Sequence, residues 1–290
     1  MRRFITPAVL ACLLLTASAA EARVESVQVS QSASSVAEYW TPERREAAKP
    51  AEQRFGGAAA RAEAAPLPWT SAEVTTPYTQ APTSTHGKVF FMLGGNDYVC
   101  SGTALLSGNK SVVWTAGHCV NEGPGAFATN WEFVPAYKDG SAPLGAYVAE
   151  NLFTTSGWGN SGDFSYDLGA AVVAPAGGTA LTDRVGGRGI AFNYTRSQTY
   201  DSYGYPAAPP FSGERLWKCN SPLQTSDSGA NPATLGIGCD MTGGSSGGGW
   251  IVGSNVVSVN SYGYDNQPNV MFGPYQGSVA QSLYNAASAG

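Results

Sequence analysis

Gly238-Cys-Asp-Met-Thr-Gly-Gly-Ser-Ser-Gly-Gly-Gly-Trp250 is the stretch on which the interpretation of this 290-residue chain depends. It places Ser246 in a run of glycines, after a cysteine and before the apolar run that starts at Trp250. Glycine adopts positive φ and lets another chain approach closely. A serine hydroxyl is a weak nucleophile that needs a base and donors for a developing oxyanion, and glycine N–H groups can supply those donors. Taken alone, the stretch fits a catalytic loop and a flexible Gly/Ser loop equally well.

Two upstream segments carry the groups that a serine nucleophile requires. His118, one of two histidines, follows the β-prone run Val112-Val-Trp-Thr115 and precedes Cys119. A zinc site at this histidine would lack the second close pair of ligands that such sites use. Asp167 opens an apolar run, and an aspartate that enters a core needs a partner, for which a histidine N–H is suitable.

These segments resemble the three motifs of the chymotrypsin/trypsin-like serine proteases. The motifs are Thr115-Ala-Gly-His-Cys119, Asp167 before Leu168, and Gly244-Ser-Ser-Gly-Gly248, in the family's order of His, Asp and Ser. The resemblance covers about residues 85–290 and is nearest to the secreted microbial branch that includes the glutamyl endopeptidases. It implies a serine endopeptidase.

The resemblance also implies a role for each site residue. Ser246 would be the nucleophile, His118 the general base and then acid, and Asp167 the residue that orients the imidazole. The backbone N–H groups of Gly244 and Ser246 would form the oxyanion hole. Asp163 is an alternative to Asp167, which is favoured because the apolar run follows it at once.

The segment Ser261, Tyr262 and Gly263 resembles the one that holds an extended substrate backbone and lines the S1 pocket. Glutamyl endopeptidases typically have a histidine just before this segment, where this chain has Asn260. The other histidine, His86, is expected at the surface. A preference for glutamate at P1 is therefore disfavoured.

Asp240 lies six residues before Ser246, the offset of the aspartate that binds Arg or Lys in trypsin-like enzymes. Animal enzymes have a cysteine four residues before the serine, where this chain has Thr242, so the loops differ and the gapless count can mislead. Basic P1 residues and apolar or small P1 residues remain equally favoured. Ser245 replaces the aspartate that receives a new N-terminal amine in animal enzymes, so activation does not use that ion pair.

The N-terminal third predicts export and processing. Two arginines, an apolar core and small residues to Ala22 are typical of a signal peptide at residues 1–22. Residues 23–84 are assigned to a pro-segment and a Pro/Thr/Ser-rich linker, and Arg61 is a candidate processing site. A disordered linker without a role is the alternative. Residues 85–290 form the predicted protease domain.

Cysteine usage agrees with export. Cys12 lies in the signal peptide, and four cysteines remain, which allow three pairings. The resemblance implies Cys100–Cys119 beside the catalytic histidine, and hence Cys219–Cys239.

The composition restricts the partners. Residues 66–290 hold eight Lys or Arg and fourteen Asp or Glu, so their net charge is about −6. There is no basic stripe to neutralise phosphates, and no apolar run of about 18 residues, so neither nucleic acid nor a membrane is expected as a partner. Polypeptide substrates and the chain's own pro-segment are the expected partners of a secreted monomer. No metal or organic cofactor is implied.

Short β-prone runs between Gly, Asn, Pro and Ser clusters predict an all-β domain of two packed antiparallel, six-stranded-type barrels. Val279, Leu283 and Ala287 recur at helical spacing and predict a closing C-terminal helix. The predicted strands are Lys88–Met92, Gly102–Leu106, Ser111–Thr115, Trp131–Pro135, Ala146–Glu150, Gly169–Val173, Gly189–Phe192, Arg215–Cys219, Trp250–Val259 and Val270–Phe272.

Two other functions compete with the protease. A binding or adhesin module on the same fold would be an inactive relative, but all three residue types of the triad are present. An α/β-hydrolase esterase would match the string Gly244-Ser-Ser-Gly-Gly248, but it requires the order Ser, Asp, His and alternating helices.

Overall fold

The structure is a computed structural model that describes residues 24–52 and 70–290. The strands are β1 (Val24–Gln28), β2 (Lys49–Pro50), β3 (Ala72–Glu73), β4 (His86–Leu93), β5 (Asn96–Leu105), β6 (Val112–Thr115), β7 (Thr129–Pro135), β8 (Tyr147–Thr155), β9 (Gly169–Val173), β10 (Gly189–Ile190), β11 (Thr199–Gly204), β12 (Trp217–Asp227), β13 (Thr234–Gly238), β14 (Gly249–Val252), β15 (Asn255–Val259), β16 (Tyr262–Tyr264) and β17 (Gln267–Gly273). The α-helices are α1 (Ala33–Tyr39), α2 (Pro42–Ala47), α3 (Ser156–Ser161), α4 (Leu181–Val185) and α5 (Ser278–Ala289).

Six antiparallel strands close the first barrel. β4 pairs with β5, β5 with β6, β6 with β9, β9 with β8, β8 with β7, and β7 with β4. Apolar side chains of these strands, such as Val89, Val113, Phe133 and Leu152, are fully buried in one cluster. The shared core fixes the register of each strand.

The second sheet surrounds a separate core. Its strands run in the order β10-β15-β14-β11-β12-β13-β17-β16. Tyr200, Ile237, Trp250 and Met271 belong to its buried cluster. The prediction of one strand over Trp250–Val259 is wrong, because β14 and β15 form a hairpin.

The break in that predicted strand has a local cause. Gly253 has φ +62°, a conformation that glycine adopts without steric cost, and it reverses the chain between β14 and β15. Strand β11 was not predicted because its sequence is polar. Its inward side chains include Tyr200 and Ser202, which are buried.

The C-terminal helix was predicted correctly. Helix α5 packs on β8 and β9 of the first barrel. It buries Ala280, Leu283 and Ala287 in the first-barrel core. The predicted all-β fold with a closing helix is thus confirmed, with one closed six-stranded barrel and a second sheet.

The N-terminal segment of residues 24–52 lies against the first barrel. Strand β1 pairs with β8 in antiparallel register, and β2 pairs in parallel with Tyr98 and Val99 of β5. The end of the Pro/Thr/Ser-rich run is also packed, since β3 pairs with β12 and Tyr78 is buried. The predicted signal peptide and Arg61 lie outside the described residues. Within residues 24–52 and 70–290, no helix combines the length and apolar character needed to span a membrane.

Candidate active site

His118 and Asp167 form a fully buried pair at the end of the first barrel. Strand β6 ends at Thr115, and a short 3-10 turn over Gly117–Cys119 carries the imidazole. Asp167 Oδ1 accepts the backbone N–H of His118 at 2.8 Å, and Asp167 Oδ2 lies 2.8 Å from His118 Nδ1. Ser261 Oγ donates to the same Oδ2 at 2.5 Å. These bonds orient the imidazole and stabilise a positive charge on it.

A disulfide holds the histidine turn to the neighbouring strand. Cys100 of β5 is bonded to Cys119, whose backbone oxygen accepts the indole N–H of Trp131 at 3.0 Å. The second disulfide joins Cys219 of β12 to Cys239 at the start of the serine loop. Both pairings are those that the resemblance implied.

The serine loop of the second sheet packs tightly against the first barrel. The backbone N–H of Ser101 donates to Ser246 O at 2.7 Å. Gly247 has φ +81°, and a Cβ there would lie 2.0 Å from Thr115 Oγ1 and 2.4 Å from Ser101 O. Only glycine fits this position. The close contact between the serine loop and the first barrel therefore fixes where Ser246, the candidate nucleophile, lies.

A glutamate that the sequence analysis missed lies at the same point. Glu52 Oε1 accepts a hydrogen bond from Ser246 Oγ, and Glu52 Oε2 accepts the backbone N–H of Gly244 at 3.0 Å. His118 Nε2 lies 3.9 Å from Glu52 Oε1. One carboxylate therefore marks the place where His118, Ser246 and the Gly244 amide converge. No pattern in the sequence distinguishes this glutamate from the others of its segment.

The positive charge of His118 and the negative charges of Asp167 and Glu52 stabilise one another. Burial alone would lower the pKa of His118, but Asp167 and Glu52 outweigh it and raise the pKa to about 9. Burial alone would raise the pKa of Glu52, but His118 and the Ser246 hydroxyl hold it below its usual value. At neutral pH, His118 is therefore an imidazolium and Glu52 is a carboxylate.

The alternative acid and the residue before the serine have structural partners. Asp163 caps a 3-10 turn by accepting the N–H of Ser165 at 2.8 Å. Ser245 Oγ donates to Thr242 O at 2.8 Å.

The candidate specificity residues lie in different surroundings. Asn260 is buried: its Oδ1 accepts from Ser202 Oγ and Trp250 Nε1, both at 2.7 Å, and its Nδ2 donates to two backbone oxygens. Asp240 Oδ1 accepts the backbone N–H of Ser71 at 2.8 Å. The side chains of Asn260 and Asp240 thus bind other parts of the chain.

The candidate substrate-binding segment runs from Ser261, whose hydroxyl binds Asp167, into β16. Tyr262 stacks on Phe272 at 5.1 Å between ring centroids, and its hydroxyl donates to Asp227 at 2.8 Å. Gly263 is exposed in β16. His86 is buried, contrary to the expected surface position, and stacks on Tyr203 at 4.1 Å because β4 lies between β5 and β7 in the barrel.

Among residues 24–52 and 70–290, one group of side chains has metal-ligand spacing, namely Cys100, His118 and Cys119. The two sulfur atoms are bonded to each other. A disulfide sulfur is not the thiolate that binds zinc. This donor set therefore does not fit a metal.

Three solved structures similar to this one are proteases. The protease Anisep from Arthrobacter nicotinovorans is 48% identical, with a TM-score of 0.69, over 73% of this chain and 99% of that chain. The thermostable serine protease AL20 from an extremophilic microorganism is 48% identical, with a TM-score of 0.68, over 71% of this chain and 97% of that chain. A Glu endopeptidase in complex with MPD is 22% identical, with a TM-score of 0.61, and supports the fold alone.

The match to a curated protein sequence covers less of this chain than the matches to the solved structures. An extracellular metalloprotease of Bacillus subtilis (strain 168) is 27% identical over 145 residues, which are 50% of this chain and 35% of that protein. The match thus spans about a third of that curated relative. No protein-family model matches the chain. On the similarity to the two solved proteases at 48% identity, the chain belongs to the chymotrypsin-like serine proteases and is a serine endopeptidase.

Proposed function

We propose that this protein is a secreted endopeptidase that cleaves polypeptides by a Ser246-His118-Asp167 triad through an acyl-enzyme. The observation that carries this proposal is the convergence of Ser246 Oγ, the Gly244 N–H and His118 Nε2 on one carboxylate, with Asp167 behind the imidazole. A carboxylate has the planar O–C–O geometry of a reaction product, so its contacts indicate where a scissile carbonyl would bind.

In the first step, Ser246 Oγ attacks the carbonyl carbon, and His118 Nε2 takes the hydroxyl proton. Asp167 stays ionised and stabilises the imidazolium that forms. The negative oxygen of the tetrahedral intermediate accepts hydrogen bonds from the N–H groups of Gly244 and Ser246. Removing one such donor costs about 2.7–4 kcal/mol of transition-state stabilisation in comparable enzymes.

In the second step, His118 returns the proton to the leaving amine as the C–N bond breaks, which leaves an ester on Ser246. Water then attacks this ester, with His118 again as the base, and releases the acid product and the free hydroxyl. All the groups that move protons belong to the chain itself.

For the P1 residue, we propose an apolar or small side chain. Two interactions support this choice. Asp240 is engaged by the N–H of Ser71, and Asn260 uses its amide within the second sheet. A pocket that binds a cation needs an available carboxylate, and one that binds glutamate needs an available donor.

We further propose that the chain is exported by residues 1–22, carries a pro-segment within residues 23–84, and acts outside the cell as a monomer. The two disulfides support an oxidising compartment, where such bonds persist. The acidic protease domain supports polypeptides, and not nucleic acids, as substrates.

The experiment is to incubate the processed protein with a diverse peptide library and identify the cut sites by mass spectrometry. Ser246→Ala should abolish cleavage, and Ser254→Ala, in the exposed turn of the β14–β15 hairpin, should not. Asp240→Ala should leave the distribution of P1 residues unchanged. Cleavage that persists in Ser246→Ala contradicts the catalytic proposal, and cuts after Arg or Lys that vanish in Asp240→Ala contradict the proposed P1 preference.

A further inference from the structure

The carboxylate in the catalytic centre comes from the chain itself. Glu52 is a side-chain acid, so the group that meets Ser246 Oγ has no peptide bond to break. An attack on a carboxylate would have to expel an oxide, and the reaction would not proceed. Glu52 therefore occupies the centre without being a substrate.

The contacts of Glu52 exclude a peptide carbonyl from the same place. Its Oε2 takes the Gly244 N–H that the oxyanion needs, and its Oε1 takes the Ser246 hydroxyl. The Glu52 side chain is 18% exposed, and that of His118 is fully buried. A carboxylate on these donors is strongly bound because each hydrogen bond is charge-assisted.

The segment before Glu52 is held on the first barrel by a defined surface. Trp40 is buried at 5.5 Å from the Phe90 ring, and its indole N–H donates to Asn130 O at 2.6 Å. Arg45 binds the buried carboxylate of Glu132 at 2.8 Å. An apolar patch flanked by a buried acid thus fits the aromatic and basic side chains of this segment.

A second acidic residue extends the same surface. Asp97 accepts hydrogen bonds from Tyr39 at 2.5 Å and from Arg44 at 2.8 Å. Farther along, β1 adds an antiparallel strand to β8, and β2 adds a parallel pair beside β5. Backbone pairing at both ends and side-chain anchors between them fix where Glu52 lies.

We propose that residues 24–52 are a tethered inhibitor whose Glu52 carboxylate fills the catalytic centre, and that the centre is a binding site for carboxylates. This inference rests on the proposed roles of Ser246 and His118. Anchoring by Trp40 and Arg45 provides affinity, and Glu52 provides the block. Cleavage within residues 53–69 would cut the tether, so the segment then inhibits only at a concentration that keeps it bound.

The test measures how fast a fluorophosphonate probe labels the uncut chain, by in-gel fluorescence of the intact band. The Glu52→Ala variant should be labelled at least about tenfold faster than the wild-type chain, because the competing hydrogen bonds to charged groups are lost. Glu52→Gln should also label faster, because an amide lacks the charge. Glu46 is an exposed glutamate of the same segment, and the Glu46→Gln variant should be labelled at the same rate as the wild-type chain.

Equal labelling rates for the unchanged chain and both Glu52 variants would overturn the inhibitor. Circular dichroism of each variant establishes that it is folded before the rates are compared. If neither the uncut nor the processed protein is labelled, the proposed catalytic role of Ser246 fails, and the inference falls with it.

A second measurement distinguishes inhibition by the Glu52 carboxylate from inhibition by docking of residues 24–52 alone. A synthetic peptide of residues 24–52 should inhibit the processed enzyme, and the same peptide with Glu52→Ala should need about a tenfold higher concentration or more. Equal inhibition by both peptides would show that docking, and not the carboxylate, blocks the site, and would overturn the role of Glu52.

Discussion

At the scale of single residues, the proposed catalytic centre depends on a balance of charge around one imidazole. The charged groups that face His118 are Asp167, behind the ring, and Glu52, in front of it. Asp167 also accepts the hydroxyl of Ser261 and the backbone N–H of His118. With Glu52 present, His118 is held as an imidazolium, which cannot take a proton from Ser246.

Replacing Asp167 tests its orienting role. Asp167→Asn should lower kcat by about 10⁴-fold, because an amide favours the wrong tautomer of the imidazole. The measurement is kcat and KM of the processed enzyme on a peptide substrate. Asp163→Asn, which removes a capping carboxylate, should retain activity close to the unchanged enzyme. A comparable loss in both variants would contradict the assignment.

The uncut chain should become more reactive at alkaline pH. The pKa of His118 is raised from 6.5 to about 9, so its attraction to Glu52 is fully present below pH 6.5 and is lost as pH rises through about 9. Since the pKa of Glu52 is lowered, its charge persists below pH 4.5. The rate of fluorophosphonate labelling, measured from pH 6 to 10, should therefore rise with a midpoint near pH 9 in the wild-type chain. In the Glu52→Gln variant, the midpoint should lie at a lower pH. A plateau already reached at pH 7 in the unchanged chain would be inconsistent with this balance.

At the scale of elements, local patterns predicted strands such as β4, β6 and β9, and missed others, among them β11 and also β13, in which Leu235 and Ile237 alternate with glycines. Strand β11 is polar, and its burial follows from its place between β12 and β14. The break between β14 and β15 depends on the backbone of Gly253, which no hydrophobic pattern reveals. Helices α1 and α2 are short, so tertiary contacts and not propensity decide whether they form.

The docking of α1 should depend on Trp40. Trp40→Ala removes a buried indole and its bond to Asn130, and changes of this kind cost about 3–5 kcal/mol in protein cores. We expect faster fluorophosphonate labelling of the uncut chain, since the segment leaves the site more often. Val27→Ala, at a partly exposed position of β1, serves as the control and should have little effect. Identical rates for the unchanged chain and Trp40→Ala would mean that the anchor lies elsewhere.

The two disulfides should differ in function but not in their effect on stability. Each closes a loop of 19 or 20 residues, and removal of either should cost about 3 kcal/mol of unfolding free energy. Only Cys100–Cys119 lies beside the histidine, so its double alanine variant should lose more kcat. Chemical denaturation and peptide hydrolysis measure the two effects. Equal losses of kcat in both double variants would contradict a positioning role for Cys100–Cys119.

At the scale of the whole molecule, the sequence predicted the family, the fold and the two disulfide pairings. It did so because motifs around a histidine, an aspartate and a serine are short and local. The contact of Glu52 with Ser246 joins residues 194 positions apart, and it follows only from how residues 24–52 lie on the barrel. The surroundings of Asp240 and Asn260 could not be predicted for the same reason, since their partners come from distant strands and from Ser71.

The most direct test of the catalytic assignment is to identify the residue that a fluorophosphonate labels in the processed protein. After reaction, digestion and mass spectrometry, we expect one labelled peptide, with the probe on Ser246, and no label in Ser246→Ala. A folded, processed protein that takes up no probe, or takes it up at another serine, would contradict the catalytic assignment.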